Sequence, residues 1–244
     1  MLTSPPTRKN TITTEMRLPG DIRLVRLLQL ASPALPVGAF SYSQGLEAAV
    51  ESGKIKDARS AEQWIEAVLA LSVARTEAPS LLGSIDSWNA ADRERVQHGN
   101  DDFLATREAA ELRAETVQMG YSLRRLFDSM DGFDAVALAQ LDSLDEPAFP
   151  TVFAFAVAQW QIDPREALLA YLWSWLENQA MAAIKAVPLG QTDGQRMLFS
   201  LGGRLPSLVD ETLLMDLDGI GSFAPGLAMA SCRHETQYSR LFRS

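Results

Sequence analysis

Apolar residues along this chain return at steps of three and four far more often than at steps of two, so the pattern predicts helices. Between Asp101 and Phe127, the positions Ala105, Ala109, Leu112, Thr116, Met119, Leu123 and Phe127 line one face while charges occupy the other, which predicts one long helix. Asp163-Pro164-Arg165-Glu166 opens another, with Asp as N-cap, Pro at the first helical position and Glu at the third. That helix runs to about Ala186, where Pro188 stops it, and its first half is apolar nearly all round, as a central buried helix would be. Asp21 can cap a short helix, DIRLVRLLQLA, ended by Ser32-Pro33. LEAAVE forms a second, closed by Gly53. Ser60 with Gln63 makes a capping box for a helix through Trp64, Val68 and Leu71, and a related pattern continues through Leu81, Ile85 and Trp88. A helix follows at Asp134 to Leu141, and shorter ones after Thr192 and Pro206. TVFAFAVAQW, after Pro147 and Pro150, suits a strand by its length and β-branched content and a helix by its neighbours. With no repeat, low-complexity block or long linker, the expectation is a single all-α, helical-bundle-like domain of about eight to ten helices over residues 21–230. It lies between a flexible leader at 1–20 and a docking tail at 231–244.

Composition narrows the function classes. Hydrophobic residues at 47% and charged residues at 22% are ordinary for a globular protein, and 244 residues suffice to bury a substantial core. A formal charge of −9 argues against a nucleic-acid partner, which would call for a basic surface. The charge is uneven, since Arg233, Arg240 and Arg243 against Glu235 leave residues 233–244 at +2. A cationic tail on an acidic body can fold back on it or meet an acidic partner. A single cysteine, Cys232, excludes an intrachain disulfide framework and suits a reducing compartment. The first twenty residues lack an apolar signal-peptide core, and the longest apolar run, Ala167 to Leu176, is too short to span a bilayer. The expectation is a cytoplasmic protein with no membrane partner.

Chemistry is scarce. His98 and His234 are the only histidines, and Cys232-Arg233-His234 is the one compact ligand candidate, too sparse for a zinc or nickel site. His98, in VQHGNDD, reads as a solvated loop residue. No GxxxxGK[ST] or GxGxxG motif is present, and Cys232 with His234 lacks a holding shell for nucleophilic catalysis. The expectation is therefore no catalytic, cofactor or metal residue. Two internal stretches admit two readings. In PVGAFSYSQGLE, Ser41 or Ser43 can cap a helix whose dipole Glu47 complements, or Gln44 and Glu47 can face a partner. In ENQAMAAIKAVPLGQ, a helix emerges from the core and turns Glu177, Asn178, Gln179 and Lys185 to water or to a partner. The tail SCRHETQYSRLFRS spaces arginines around Tyr238, Leu241 and Phe242, side-chain types that anchor interfaces.

The stretches LLQLASPALPVGAFSYSQGLEAAVE, ATREAAELRAETVQMGYSL, ENQAMAAIKAVPLGQ and HETQYSRLFRS, in this order, resemble the UreF family of urease accessory proteins. The resemblance runs from about Leu27 to Ser244 and is looser at 87–99 and 128–150; Cys232 and Trp88 are not part of the family pattern. It implies a non-enzymatic maturation chaperone that bridges UreD (also called UreH) and the GTPase UreG and regulates GTP-dependent nickel insertion into apo-urease. It also implies a homodimer in the complex, with nickel handled by the assembly rather than clearly by this chain. Residue by residue, Gln44, Glu47, Gln179 and Lys185 would face UreG. Arg233, His234, Glu235, Tyr238, Arg240, Leu241, Phe242 and Arg243 would form the tail that meets UreD. The sign of the effect on GTP hydrolysis stays open, and Arg124 and Arg125 are candidates either for an arginine finger or for plain helix-face solvation. The alternative is a helical adaptor or activating-type regulator of a GTPase unrelated to nickel.

Overall fold

A computed structural model describes residues 18–215 and 224–244; the expected leader at 1–20 falls almost wholly outside the described residues. The described residues fold into α1 (Gly20–Leu30), α2 (Leu46–Glu51), α3 (Ala58–Leu71), α4 (Glu77–Asn89), α5 (Arg93–Ala105), α6 (Ala110–Asp128), α7 (Ala135–Asp142), α8 (Phe149–Gln159), α9 (Pro164–Ala186), α10 (Gln191–Gly202), α11 (Leu205–Leu213) and α12 (Pro225–His234). Short 3-10 turns stand at Ala39–Ser41 and Val73–Arg75, and there is no strand among the described residues. The all-α single-domain expectation holds.

Two helices make the centre. α9 begins as its sequence signals, with the Asp163 carboxylate accepting from the N–H groups of Arg165 and Glu166, and it packs against α1, α2, α3, α4, α10 and α11. α8 resolves the TVFAFAVAQW ambiguity in favour of helix. Residues Phe149 to Val157 are all buried, against α4 on one side and α6 on the other, so burial on every face rather than strand alternation explains its apolar run. An aromatic cluster closes one end of this layer. Phe127 of α6 meets Phe155 of α8 at 5.9 Å and Trp160 at 6.1 Å, while Trp88 of α4 sits edge-on to Phe155 at 5.2 Å and donates to the Thr151 carbonyl. α6 approaches the chain before α8 so closely that a Cβ at Gly120 would collide with the Pro147 carbonyl.

The structure corrects four local expectations. The long helix expected from Asp101 to Phe127 is two helices. Thr106 ends α5 by turning its hydroxyl to the Phe103 carbonyl at 2.7 Å, Arg107 reaches inward to Glu77, and α6 restarts with its Ala110 N–H bound to the Glu235 carboxylate at 3.0 Å. The capping box of α3 lies one turn earlier than expected. Asp57 accepts from the Ser60 N–H at 2.8 Å while the Ser60 hydroxyl accepts from the Asp57 N–H. Asp21 sits inside the first turn of α1, and the N-cap is Pro19. His98 is helical rather than in a loop, exposed on α5 with Nδ1 2.7 Å from Asp102.

A candidate docking site built by the C-terminal segment

The site starts from a tight turn. Gln44 and Gly45 enter α2 with φ of 52° and 75°, in the left-handed region. Gly45 is needed there twice over, because a Cβ would lie 3.1 Å from the Ala230 Cβ and from the Ser231 nitrogen and hydroxyl on α12. With no side chain in the way, α12 lies flat on the start of α2 and carries His234, at its last position, over Glu47. His234 is fully buried between two carboxylates, Nε2 3.2 Å from Glu47 of α2 and Nδ1 2.7 Å from Glu111 of α6. Both ring nitrogens can face a carboxylate as donors only when both carry hydrogen.

Beyond α12 the chain turns and runs back along α2. Leu241 and Phe242 donate their main-chain N–H groups to the two oxygens of the Glu47 carboxylate at 2.7 and 3.0 Å, and the Arg240 guanidinium binds Glu111 at 2.6 Å. The Arg243 N–H reaches the Ser41 carbonyl, and the Ser43 N–H and hydroxyl both donate to the Ser244 carbonyl oxygen at 2.7 and 2.6 Å. The N-cap of α2 is Gly45 rather than the anticipated Ser41 or Ser43, although the Ser43 hydroxyl, two residues earlier, accepts from the Glu47 N–H at 3.3 Å and so serves both the helix start and the tail. A buried carboxylate is costly unless donors surround it, and the tail supplies those donors. Phe242 is 7% exposed, with the Lys185 ammonium 5.9 Å from its ring centroid. Tyr238 and Leu241 project outward, Leu241 at 72% exposure.

Under the tail lies a second acidic layer. The Ser244 hydroxyl donates to Glu115 of α6 at 2.8 Å, the Gln44 amide donates to the other Glu115 oxygen at 2.8 Å, and the Trp175 indole N–H of α9 donates to the Gln44 carbonyl at 2.7 Å. Burial pushes the Glu115 carboxyl up to about 7, against the lowering effect of the Gln44 and Ser244 hydrogen bonds; nearby Glu77 raises it further and Arg107 opposes. Glu77 is itself held by Arg107 at 2.9 Å, in a pair exposed by only 9% and 8%, and by the Tyr171 hydroxyl at 2.7 Å. Burial first, and then Glu77, hold the Tyr171 phenol well above its ordinary range.

The residues expected to face one partner do not form one patch. Lys185 is exposed and Gln44 half-buried, but Glu47 and Gln179 are buried, at 7% and 2%, and Glu47 is occupied by the tail. Of the tail set, Arg233, Tyr238, Arg240, Leu241 and Arg243 are exposed, Phe242 and His234 are buried, and Glu235 caps α6. The segment from 231 onward is thus packed on the body, and His234 has the holding shell that its sequence neighbours did not suggest. Cys232 is exposed on the same helix, turned away from that shell. Arg124 is spent on the Leu144 carbonyl and Asp142, while Arg125 is exposed. Among the described residues no group of three or more His, Cys, Asp or Glu side chains could hold a metal ion.

Sequence reading missed Ser43, Glu111 and Glu115 as partners of the tail, and Ser244 as the tail residue that meets Ser43 and Glu115. Glu115 carried a legible signal, because it stands three residues after Leu112 and four before Met119, on the buried stripe of α6.

The model of the UreF family matches residues 55–202. A urease accessory protein UreF of Azoarcus sp. (strain BH72) is 55% identical over 227 residues, covering 92% of this chain and 97% of that protein. The UreF of Dechloromonas aromatica (strain RCB) is 52% identical over 224 residues, covering 91% and 98% respectively. The chain belongs to the UreF family. Its relatives bear the name of a urease accessory protein and not of an enzyme, which agrees with the expectation of a non-enzyme.

Proposed function

We propose that the chain serves urease maturation as a cytoplasmic adaptor, bridging UreD/UreH and the GTPase UreG and regulating GTP-dependent nickel insertion into apo-urease, as a homodimer in the complex. The observation that carries this reading is the clamped tail. Glu47, Glu111 and Glu115 hold residues 240–244 on the body, and Tyr238, Leu241 and the arginines are thereby presented outward with the strap already ordered. A pre-ordered apolar and cationic strap binds without first losing chain entropy, which is how preorganisation gains affinity. Tyr238 and Leu241 then meet UreD/UreH. Gln44, Glu47 and Gln179 contribute by shaping the surface from beneath. No helix among the described residues is long and apolar enough to cross a membrane.

The test is co-elution of the full chain, and of a Tyr238→Ala/Leu241→Ala variant, with UreD/UreH and then with UreG and GTP, scored by urease activation with nickel and bicarbonate. Both side chains are exposed, so the variant folds. The expected result is assembly and activation by the full chain and loss of UreD/UreH binding by the variant. Activation by the variant at the full level sinks the tail reading. Binding of an unrelated GTPase, with urease activation indifferent to the chain, favours the adaptor alternative.

A further inference from the structure

A cavity of about 230 Å³ opens between the segment 30–39, α6 and α9. Its mouth is exposed at Pro33, Phe40, Met181 and Lys185, and its floor is buried at Glu77, Glu115, Phe149 and Tyr171. Leu30, Leu35, Val37, Leu112 and Met119 give it apolar walls. A dry apolar cavity of about 150 Å³ takes up benzene, so this one has room for an aromatic ring and a short chain. An apolar recess with a few converging polar groups and displaced titrations is the usual form of a small-molecule site. Burial raises the carboxyls of both Glu115 and Glu177, which line the cavity from α6 and α9.

The charges on the lining differ in what already holds them. Arg107 is spent on Glu77 at 2.9 Å and lies over the Phe103 ring at 4.5 Å. Lys185 stands at the mouth, eight residues and so about 12 Å beyond Glu177 along α9, with its ammonium 5.9 Å from the Phe242 ring centroid. Glu115 takes one neutral donor on each oxygen, from Gln44 and Ser244, and a second lone pair on each stays open. Neither Glu115 nor Glu177 makes an ion pair among the described residues, so the cavity holds two carboxyls without a cation, while the one cation on its floor already has its carboxylate. The geometry points to a small organic cation as the ligand, a primary ammonium on an aromatic or branched aliphatic body, with the body among Leu35, Val37 and Met119 and the ammonium donating to Glu115 and Glu177. The walls give a hydrated metal ion nothing in exchange for its water, whereas they bury an organic body favourably. Because Ser244 donates to the same Glu115 carboxyl, the occupant and the strap share one group.

The test titrates the full chain by calorimetry with phenethylamine, 2-phenylethanol and phenylacetate, probes of similar shape and different charge, at pH 6 and pH 8. The amine is expected to bind at least tenfold more tightly than the alcohol at pH 8, and the acid not to bind. Amine affinity should fall about tenfold from pH 8 to pH 6, because the ammonium favours ionised Glu115, whose carboxyl titrates at about 7 in the empty cavity. Glu115 is faced by Glu77 of α4, Arg107, Tyr171 of α9 and Tyr42, and burial raises both phenols above their ordinary value, so they stay neutral in that interval. Glu115→Gln and Glu177→Gln should each lose at least fivefold in amine affinity at pH 8, and Glu115→Gln most of the pH dependence as well. Cooperative melting shows that both variants fold. Shifts of the Met119 and Met181 methyl resonances locate the probe, since both side chains line the cavity. An alcohol or an acid that binds as tightly as the amine overturns the inference, as does an amine affinity that neither variant alters. Binding that leaves both methyl groups unmoved overturns it too, and so does no binding of any probe. None of these outcomes bears on the bridging function, which the co-elution decides.

Discussion

The carboxylate of Glu47 accepts the main-chain N–H of Phe242 at 3.0 Å, across 195 residues of sequence. The same two oxygens hold the Leu241 N–H and the His234 ring, so one buried acid orders the strap and the end of α12 together.

Glu47→Ala leaves the two strap N–H groups and one His234 nitrogen without their acceptor. Each unmade buried hydrogen bond costs about 1–3 kcal/mol, and the strap can escape part of that cost by detaching into water. The expected outcome is rapid amide hydrogen exchange over residues 240–244 with a global loss of about 2–4 kcal/mol by urea denaturation. Glu47→Gln keeps an acceptor oxygen and loses less. Slow exchange in the alanine variant, equal to that of wild type, would show that Glu47 does not hold the strap.

At Gly45, substitution by alanine acts on packing and backbone at once. The new Cβ meets Ala230 and Ser231 at 3.1 Å, and the backbone at φ 75° disfavours any L side chain. About 1–3 kcal/mol of destabilisation is expected, localised to α12 by increased exchange at residues 225–234. Gly53 is also at positive φ, but a Cβ there would meet nothing within 4 Å, so its alanine variant should lose only the backbone part. If the two alanine variants are equally stable, close approach of α12 is not what selects glycine at position 45.

These two sites mark the limit of what the sequence could tell. α9 was legible because its start signal is local, Asp163 before Pro164, whereas burial of α8 on all sides leaves an unbroken apolar run that periodicity alone does not tell from a buried strand. The break between α5 and α6 was not. The apolar stripe passes through it, and what stops the helix is Arg107 turning inward to Glu77, thirty residues away. The tail was legible in composition, as apolar and cationic, but the identity of its seat was not. Glu47 and Glu111 look like ordinary helix-face acids until the fold brings His234 onto them, and Glu115, though its place on the buried stripe of α6 is legible, does not reveal Ser244 as its partner. Helical periodicity reports which face is buried. It does not report which distant donor will satisfy an acid on that face.

The Glu77 and Arg107 pair tests the same point in the interior. Arg107→Met removes the cation and leaves Glu77 with the Tyr171 hydroxyl alone. A buried charge stripped of its partner costs about 3–5 kcal/mol, whereas Tyr171→Phe, which removes one of two donors, costs about 1–2 kcal/mol. Adding Glu77→Gln to Arg107→Met should recover most of the loss. Additive losses in a double-mutant cycle would mean that the two side chains do not depend on each other.

Glu115 makes the pH dependence of the protein diagnostic. Its carboxyl is raised from an ordinary 4.5 to about 7, chiefly by burial, so the folded chain holds a proton there that the unfolded chain has released. Between those two values folding takes up that proton, and the contribution of Glu115 to stability falls as the pH rises through the window. The full shift corresponds to about 3 kcal/mol at pH 8. Glu115→Gln removes the titration while keeping an acceptor for the Gln44 amide, and the Ser244 hydroxyl can turn to accept from the new amide. Relative to wild type, the variant should gain stability steadily from pH 4.5 to 7 and hold that gain above it, at about 2–4 °C in Tm per kcal/mol for a chain of this size. Melting curves of both proteins across pH 4–8 decide the matter, since other titrating groups shift both curves alike. Parallel curves mean that Glu115 titrates as it does in water, and that the acidic layer beneath the tail is open to solvent.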